Sequence, residues 1–305
     1  MNRSRFISEQ ASKKRSRLIK AVSVGLDNIE SYDLKPEGVF GSKARVISGG
    51  VTIESSELDL EFAVKFDDDM EANEAEIIIY NLTNDTINQF KHKGKISIEA
   101  GYEGDTGVLF QGYITKVTTK HEGAEKITTI KCLDEVESRT VEEITYSAGT
   151  AASYILKDLL ARTGIPIAAF EMRRDWTYEN DEKVDGDLME NIKKYSEVCG
   201  VSTYVNKGKI YSRHITKGDN IYFDLSEDTG LIGSPQYFEE EQTAEDFKEV
   251  VKGYDCEMLL QHRMAAGAIV NLKSRDAKGT YRVCSGEHTF NESEAKTTVK
   301  MYAGG

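Results

Sequence analysis

The sequence predicts an α+β, mainly β fold: two small antiparallel β-barrel or sandwich domains separated by an α+β domain. Three observations carry this. Apolar and polar residues alternate with period 2 on both sides of the chain's middle, the middle itself changes to the helical period, and glycine-containing turns separate the β runs. The expected division is a basic N-terminal arm at 1–38, a first β domain at 39–145, an α+β domain at 146–218 and a second β domain at 219–305.

At 305 residues the chain exceeds the usual domain size of roughly 100–200 residues, so more than one domain is expected. Its 39% hydrophobic and 30% charged residues are those of a globular protein. No apolar run approaches the roughly 18 residues that would suggest a membrane span. The opening residues lack the apolar segment of a secretory signal, so synthesis and folding in a cytoplasm are expected. Cys132, Cys199, Cys256 and Cys284 are widely spread without metal or redox spacing, and free buried thiols are the expectation.

The net charge of −13 is uneven. Residues 1–20 hold seven of the 39 Lys and Arg and one of the 52 Asp and Glu, so the rest has 32 basic against 51 acidic residues, a net of −19. Such a body repels phosphates and excludes non-specific DNA binding. The arm, through Lys13, Lys14, Arg15 and Arg17, is a candidate for docking on an acidic partner; the alternative is a solvated terminus.

In chain order, residues 1–38 are polar and weakly periodic, read as an arm or a peripheral helix. Leu58, Leu60, Phe62, Val64 and Phe66 then alternate with polar or small residues as a half-buried strand does, and Asp67, Asp68 and Asp69 end it. The stretch 75–121 holds three β runs, with turns or bends expected at Asn-Leu-Thr, Gly101-Tyr102 and Gln111-Gly112 and a helical turn between 84 and 90. Another strand runs through 127–132. From Ser147 the spacing of Ala152, Ile155, Leu156, Leu159 and Leu160 predicts a helix with Thr150 as N-cap, stopped by Gly164 and Pro166. A second helix is expected from Asp187, with Glu190 in a capping box and an apolar stripe of Leu188, Ile192, Tyr195 and Cys199 before Gly200. Residues 204–211 read as a hairpin. Beyond them, 221–225, 256–260, 268–272, 281–283 and 297–301 read as strands, 230–235 as a constrained turn and 239–246 as an acidic loop.

The two β segments suggest an internal duplication, with chance similarity of hairpins as the alternative. Gly112 precedes His121 as Gly279 precedes His288, and Thr128-Thr-Ile-Lys131 corresponds to Thr297-Thr-Val-Lys300.

Catalytic signatures are missing from the sequence: it has no G-x-S-x-G, H-E-x-x-H, Walker A or dinucleotide fingerprint. His92, His121, His214, His262 and His288 are dispersed and read as surface or strand-end residues. Asp67, Asp68, Asp69 and Glu71 lack the EF-hand glycine and read as a solvated turn rather than a calcium site. No metal or cofactor is expected. Carboxylates remain numerous enough for a glycosidase pair.

Three runs in the first β segment, Ala75-Glu-Ile-Ile-Ile-Tyr-Asn-Leu-Thr, Lys95-Ile-Ser-Ile-Glu-Ala-Gly-Tyr and Phe110-Gln-Gly-Tyr-Ile, resemble the N-terminal tube-type domain of phage tail hub proteins. Gly230-Leu-Ile-Gly-Ser-Pro and the run from Leu259 to Ser274 resemble the start of the second such domain, and Asp187-Leu-Met-Glu-Asn-Ile-Lys-Lys-Tyr with Gly208-Lys-Ile-Tyr resembles the helix and hairpin between them. The resemblance covers about 40–301 in order. It departs at Gln261-His262, where such hubs often carry Asn-Pro, and at Ala266-Gly267, where Pro-Gly is usual.

The resemblance implies a structural, non-enzymatic hub of a phage tail or phage-tail-like particle, assembled in a bacterial cytoplasm. Such hubs are trimers whose paired tube-type domains present a pseudo-sixfold ring to the tail tube or distal tail ring and a threefold to the spike or tip. A tape-measure protein and DNA pass through the channel, without specific nucleic-acid binding or a membrane anchor. Candidate acidic lumen or interface residues are Asp67, Asp68, Asp69, Glu239, Glu240 and Glu241. The competing expectations are a tail-tip cell-wall hydrolase built on the acidic segments 67–71 and 239–246, and a receptor-binding module.

Overall fold

The structure, a computed structural model, describes residues 30–32, 41–134, 140–214, 217–219, 221–244 and 247–303. Most of the 1–38 arm, including Lys13, Lys14, Arg15 and Arg17, lies outside the described residues. Within it β1 (Glu30–Tyr32) is a strand, so this part is neither a free arm nor a helix.

The first group of strands is β2 (Ser42–Ser48), β3 (Val51–Glu54), β4 (Leu60–Asp67), β5 (Glu74–Tyr80), β6 (Lys95–Tyr102), β7 (Asp105–Glu122) and β8 (Glu125–Leu133). Alternation does what the sequence requires: Leu60, Phe62, Val64 and Phe66 point inward from β4, and Ile77 and Ile79 from β5. A single turn, α1 (Asn84–Ile87), is capped by Thr83, whose hydroxyl accepts from Thr86 N. Asn-Leu-Thr does turn, with Asn81 at φ 58°. Gln111-Gly112 does not, since both lie inside the 18-residue β7. Gly112 is there because an added Cβ would sit 2.3 Å from the Leu133 carbonyl oxygen.

The middle elements are β9 (Thr140–Tyr146), α2 (Ala152–Arg162), β10 (Ile167–Glu171), β11 (Glu182–Asp187), α3 (Leu188–Cys199), β12 (Ser202–Asn206) and β13 (Lys209–Arg213). Ile155, Leu156, Leu159, Leu160, Leu188, Ile192, Tyr195 and Cys199 form one buried core with Val141 and Tyr146 of β9, which pairs with β11. Asp187 caps α3, accepting from Met189 N and Glu190 N, and Gly200 at φ 65° ends it. Thr150 is not the cap of α2: its hydroxyl donates to Ser147 O, and Ala151 occupies the cap position without a side-chain bond. The β12–β13 turn places Lys207 and Gly208 at φ 49° and 71°, the geometry of a two-residue hairpin.

The last group comprises β14 (Ile221–Leu225), β15 (Leu231–Ala244), β16 (Phe247–Leu259), β17 (Ile269–Lys273), β18 (Lys278–Phe290) and β19 (Ala295–Ala303). Residues 231–235 of the expected turn and 239–244 of the expected acidic loop belong instead to the long β15–β16 ribbon, in register from Gln236–Asp255 to Ala244–Phe247, and 245–246 lie outside the described residues. An irregularity between Ile232 and Gln236 absorbs the Gly233-Ser-Pro235 segment. Cross-strand pairing of Glu239 with Lys252 at 2.8 Å shows why acidic residues there are compatible with a strand.

Neither strand group closes into a barrel among the described residues; both belong to one 14-stranded sheet. Neighbouring strands within the first group follow the order β4-β5-β8-β7-β6-β2, and within the last group the order β15-β16-β19-β18-β17-β14. Taken by position along the chain, the two orders are the same permutation of six strands. The equivalence extends to single residues. A bulge at Thr115 between β7 and β8 matches one at Cys284 between β18 and β19. That match brings Thr128-Thr-Ile-Lys131 onto Thr297-Thr-Val-Lys300, as the sequence suggests. Gly112 and His121, however, correspond to Tyr281 and Phe290, two positions away from the glycine and histidine of the sequence pattern. One pairing differs: β2 runs antiparallel to β6, whereas β14 runs parallel to β17.

Candidate assembly interface

The two groups meet where β4 lies antiparallel to residues 285–290 of β18, from Asp67 opposite Ser285 to Phe62 opposite Phe290. Phe62 stacks on Phe290 at 5.4 Å between centroids, and Phe66 tilts over His288 at 4.8 Å. Gly286 makes room, because a Cβ would meet the Phe66 ring at 2.4 Å and the Thr298 carbonyl oxygen at 2.3 Å. His288 is buried in this seam, with Nδ1 2.8 Å from Thr297 Oγ1. Burial pushes its pKa down to about 3, so the ring is neutral near pH 7. It is thus a core residue, unlike the surface or strand-end position expected for it. His92 and His121 are exposed, as expected.

The acidic turn sits at the end of the same seam and is tied into it. Asp68 Oδ2 accepts from Nη1 of the fully buried Arg282 at 2.5 Å, and Arg282 Nε donates to Lys217 O at 3.0 Å. Burial raises the Asp68 carboxyl, and the adjacent guanidinium opposes that rise. Asp67 is pushed up to about 7, first by burial and then by the charge of Asp69. Ser202 donates its hydroxyl to Asp68 O, and Asn73 Nδ2 donates to Asp134 Oδ2 at 2.9 Å and to Val205 O at 3.3 Å. The turn therefore joins both strand groups to the β12–β13 hairpin rather than standing in solvent. Only Asp69 of the three is exposed.

A second junction lies at the start of β7. Asp105 accepts from Arg263 Nη1 at 2.8 Å and Nη2 at 2.6 Å, and approaches His262 Nε2 at 3.1 Å. The Arg263 bonds hold its carboxyl down at about 2. Lys207, at the β12–β13 turn, donates to His262 O at 2.5 Å, and burial lowers its pKa to about 8. None of Asp105, Arg263, Lys207 and Arg282 was among the candidate site residues of the sequence, although Lys207 lies in the expected hairpin and Arg263 and Arg282 in expected β segments. The nearest signal was the departure from the resembled pattern at Gln261-His262, which is the loop that makes this junction.

Elsewhere Glu239 and Glu240 are exposed on β15, paired with Lys252 and Lys300. Glu241 continues the same strand opposite Val250. Tyr237 on β15 is 55% exposed, and Tyr154 and Trp176 of the middle group are also exposed. Among the described residues no group of three His, Cys, Asp or Glu could hold a metal ion, and no helix is long and apolar enough to cross a membrane. All four cysteines are free and buried, and burial raises each thiol.

No family model and no curated protein matches the chain. Solved structures do. A tail protein from Neisseria meningitidis MC58 aligns with TM-score 0.60 at 9% identity, over 86% of this chain and 97% of that one. The 43 kDa tail protein of prophage MuSo2 from Shewanella oneidensis aligns with TM-score 0.61 at 7% identity, over 86% and 97%. The E. coli c3393 protein, a component of the type VI secretion system with structural similarity to T4 bacteriophage tail proteins gp27 and gp5, aligns with TM-score 0.56 at 10% identity, over 84% and 76%. The chain shares its fold with a bacterial tail protein, a prophage tail protein and a type VI secretion component.

Proposed function

We propose that this chain is the structural hub of a phage tail or tail-like particle, a homotrimer that adapts a sixfold tail tube to a threefold tip or spike and lines the central channel. The observation that carries the reading is the repeated six-strand order, which gives each chain two similar β units around a smaller α+β unit. We take these as two tube-type domains, at 39–145 and 219–305, flanking a middle domain at 146–218 whose core also takes in β9. Three copies of a doubled unit supply six similar positions, the number a sixfold tube needs. The tail-protein fold neighbours, matched over nearly their whole length, support the same role.

The role is non-enzymatic, and the particle is the place of action. Partners are the tube or distal ring on one side, the tip or spike on the other, and a tape-measure protein in the channel. Glu239, Glu240 and Glu241 are the acidic residues best placed for a channel or interface, since Asp67 and Asp68 are engaged in the seam. An acidic wall would let DNA pass without retaining it. Lys13, Lys14, Arg15 and Arg17 would dock on an acidic neighbour.

Immunogold labelling of intact particles tests the assignment. Label confined to one end of the tube is expected; label along the tube, or none on particles that contain the chain, overturns it.

A further inference from the structure

The equivalence of the two strand groups makes the seam inside the chain a template for a contact between chains. In the last group, residues 285–290 of β18 are covered on the side away from β19 by β4. Their equivalents in the first group, residues 116–121 of β7, pair only with β8, and that other side is open among the described residues. Conversely, β4 is equivalent to β15, and among the described residues β15 pairs only with β16. One chain thus carries one filled seam and the two unfilled halves of a second.

Exposure follows this pairing of roles. His288 is 1% exposed and Val64 is 1% exposed where they oppose each other in the filled seam. Their equivalents, Thr119 and Tyr237, are both exposed, and Tyr237 at 55% is a large aromatic on an uncovered edge. An open strand edge presents N–H and C=O groups with which another strand can pair. Lys116 stands directly opposite Lys131, which Glu76 already meets at 3.1 Å from the β5 side, so an acidic strand on the open side would meet Lys116.

We infer that β15 of one copy pairs antiparallel with residues 116–121 of β7 in the next copy, repeating the β4–β18 seam from chain to chain. This deepens the hub reading above and rests on it for the number of copies. Transferring the seam register residue by residue sets Glu240 opposite Lys116, Phe238 opposite Thr118, Tyr237 opposite Thr119 and Gln236 opposite Lys120. The Lys65–Glu287 pair of the filled seam has the uncharged Phe238 and Thr118 as its equivalent, while the acidic Asp67 opposite Ser285 has its equivalent in Glu240 opposite Lys116. The contact is heterologous, joining different surfaces of the two copies, so it generates a ring when the rotation closes. Each step around that ring is either the seam inside a chain or its copy between chains.

The test is disulfide trapping of the full chain carrying Tyr237→Cys and Thr119→Cys, compared with Tyr237→Cys and Lys120→Cys, which is one residue out of register. Within one chain six strands lie between the two in the sheet, so a cross-link reports neighbouring copies. The expected result is efficient, reducible linkage into closed three-chain species for the in-register pair and at least several-fold less for the shifted pair. Glu240→Lys should weaken assembly by roughly tenfold, and Glu240→Lys with Lys116→Glu should restore it. Sedimentation of the unmodified chain separates the two claims. Three-chain particles without in-register linkage overturn the strand assignment and leave the hub reading intact. Protein that stays monomeric and unlinked up to its solubility limit overturns both.

Discussion

Among the described residues, the charged junctions at Asp68–Arg282 and at Asp105–Arg263 both tie the strand groups together, and they differ in how much water they exclude. Asp68 and Arg282 meet in the seam with side chains 15% and 2% exposed, whereas Asp105 and Arg263 meet at 45% and 28%. The geometries are similarly close. The surroundings differ, and burial decides what a charge pair is worth. In the seam each charge has given up its hydration and depends on the other, so removing one leaves an uncompensated charge in the core. At Asp105 water can replace either partner. The seam is therefore the contact on which the relative placement of the two groups depends.

Four measurements would break or sharpen this contrast. The largest effect is expected from Arg282→Met, which strands Asp68; a loss of about 3–5 kcal/mol in denaturant unfolding is expected, and a loss below 1 kcal/mol would remove the distinction between the junctions. Next comes the pH dependence of His288. Its pKa falls from an unfolded value of 6.5 to about 3 in the seam, so the unfolded chain binds the extra proton between those values. Stability from this group is complete above pH 6.5 and is lost as pH falls toward 3. His288→Gln should flatten the fall in thermal midpoint between pH 7 and 4 relative to the unmodified chain; parallel curves would show that His288 does not titrate as a core residue.

Asp67 should act with the opposite sign. Its carboxyl is raised from 3.8 to about 7, so the folded chain holds the proton more tightly and stability falls as pH rises across that interval. Asp67→Asn is expected to be near neutral at pH 4 and stabilising at pH 8, and a variant less stable at pH 8 than at pH 4, relative to the unmodified chain, would contradict this. The smallest effect belongs to Asp105→Asn. Loss of an exposed pair costs about 0–1 kcal/mol at pH 7. Because Asp105 is depressed to about 2, its contribution is present above pH 3.8 and disappears as pH falls through 2. A loss matching that of Arg282→Met would show that exposure does not separate the two junctions.

What was legible in the sequence was what local period and turn chemistry encode. Alternation along 58–66 marks β4, the stripe through Leu188, Ile192, Tyr195 and Cys199 marks α3, and Lys207-Gly208 marks a hairpin. The Thr-Thr-Ile-Lys and Thr-Thr-Val-Lys runs marked equivalent strands correctly, while the glycine and histidine spacings beside them were two residues out. The β15–β16 ribbon was read as a loop because charged residues line it, and a two-stranded ribbon has no buried face to impose alternation. The resemblance to tail hubs anticipated the fold that the structural neighbours share. The junctions were not legible. Asp68 and Arg282 lie 214 positions apart, and nothing periodic links residues that meet only when β4 lands on β18. The same holds for Asp105 and the His262-Arg263 loop. A small barrel or sandwich was expected from the number of strands and the short glycine-containing turns between them, but neither reveals that β4, an edge in its own group, is used to extend the other group's sheet.

The central claim is that doubling within one chain and tripling between chains produce a ring of six similar units. Class averages of the purified full chain viewed down the particle axis test it directly. The expected result is a ring of six lobes with threefold symmetry and a mass three times that of the 34.1 kDa chain. Two-lobed single chains at every concentration, with and without tube protein, would contradict it.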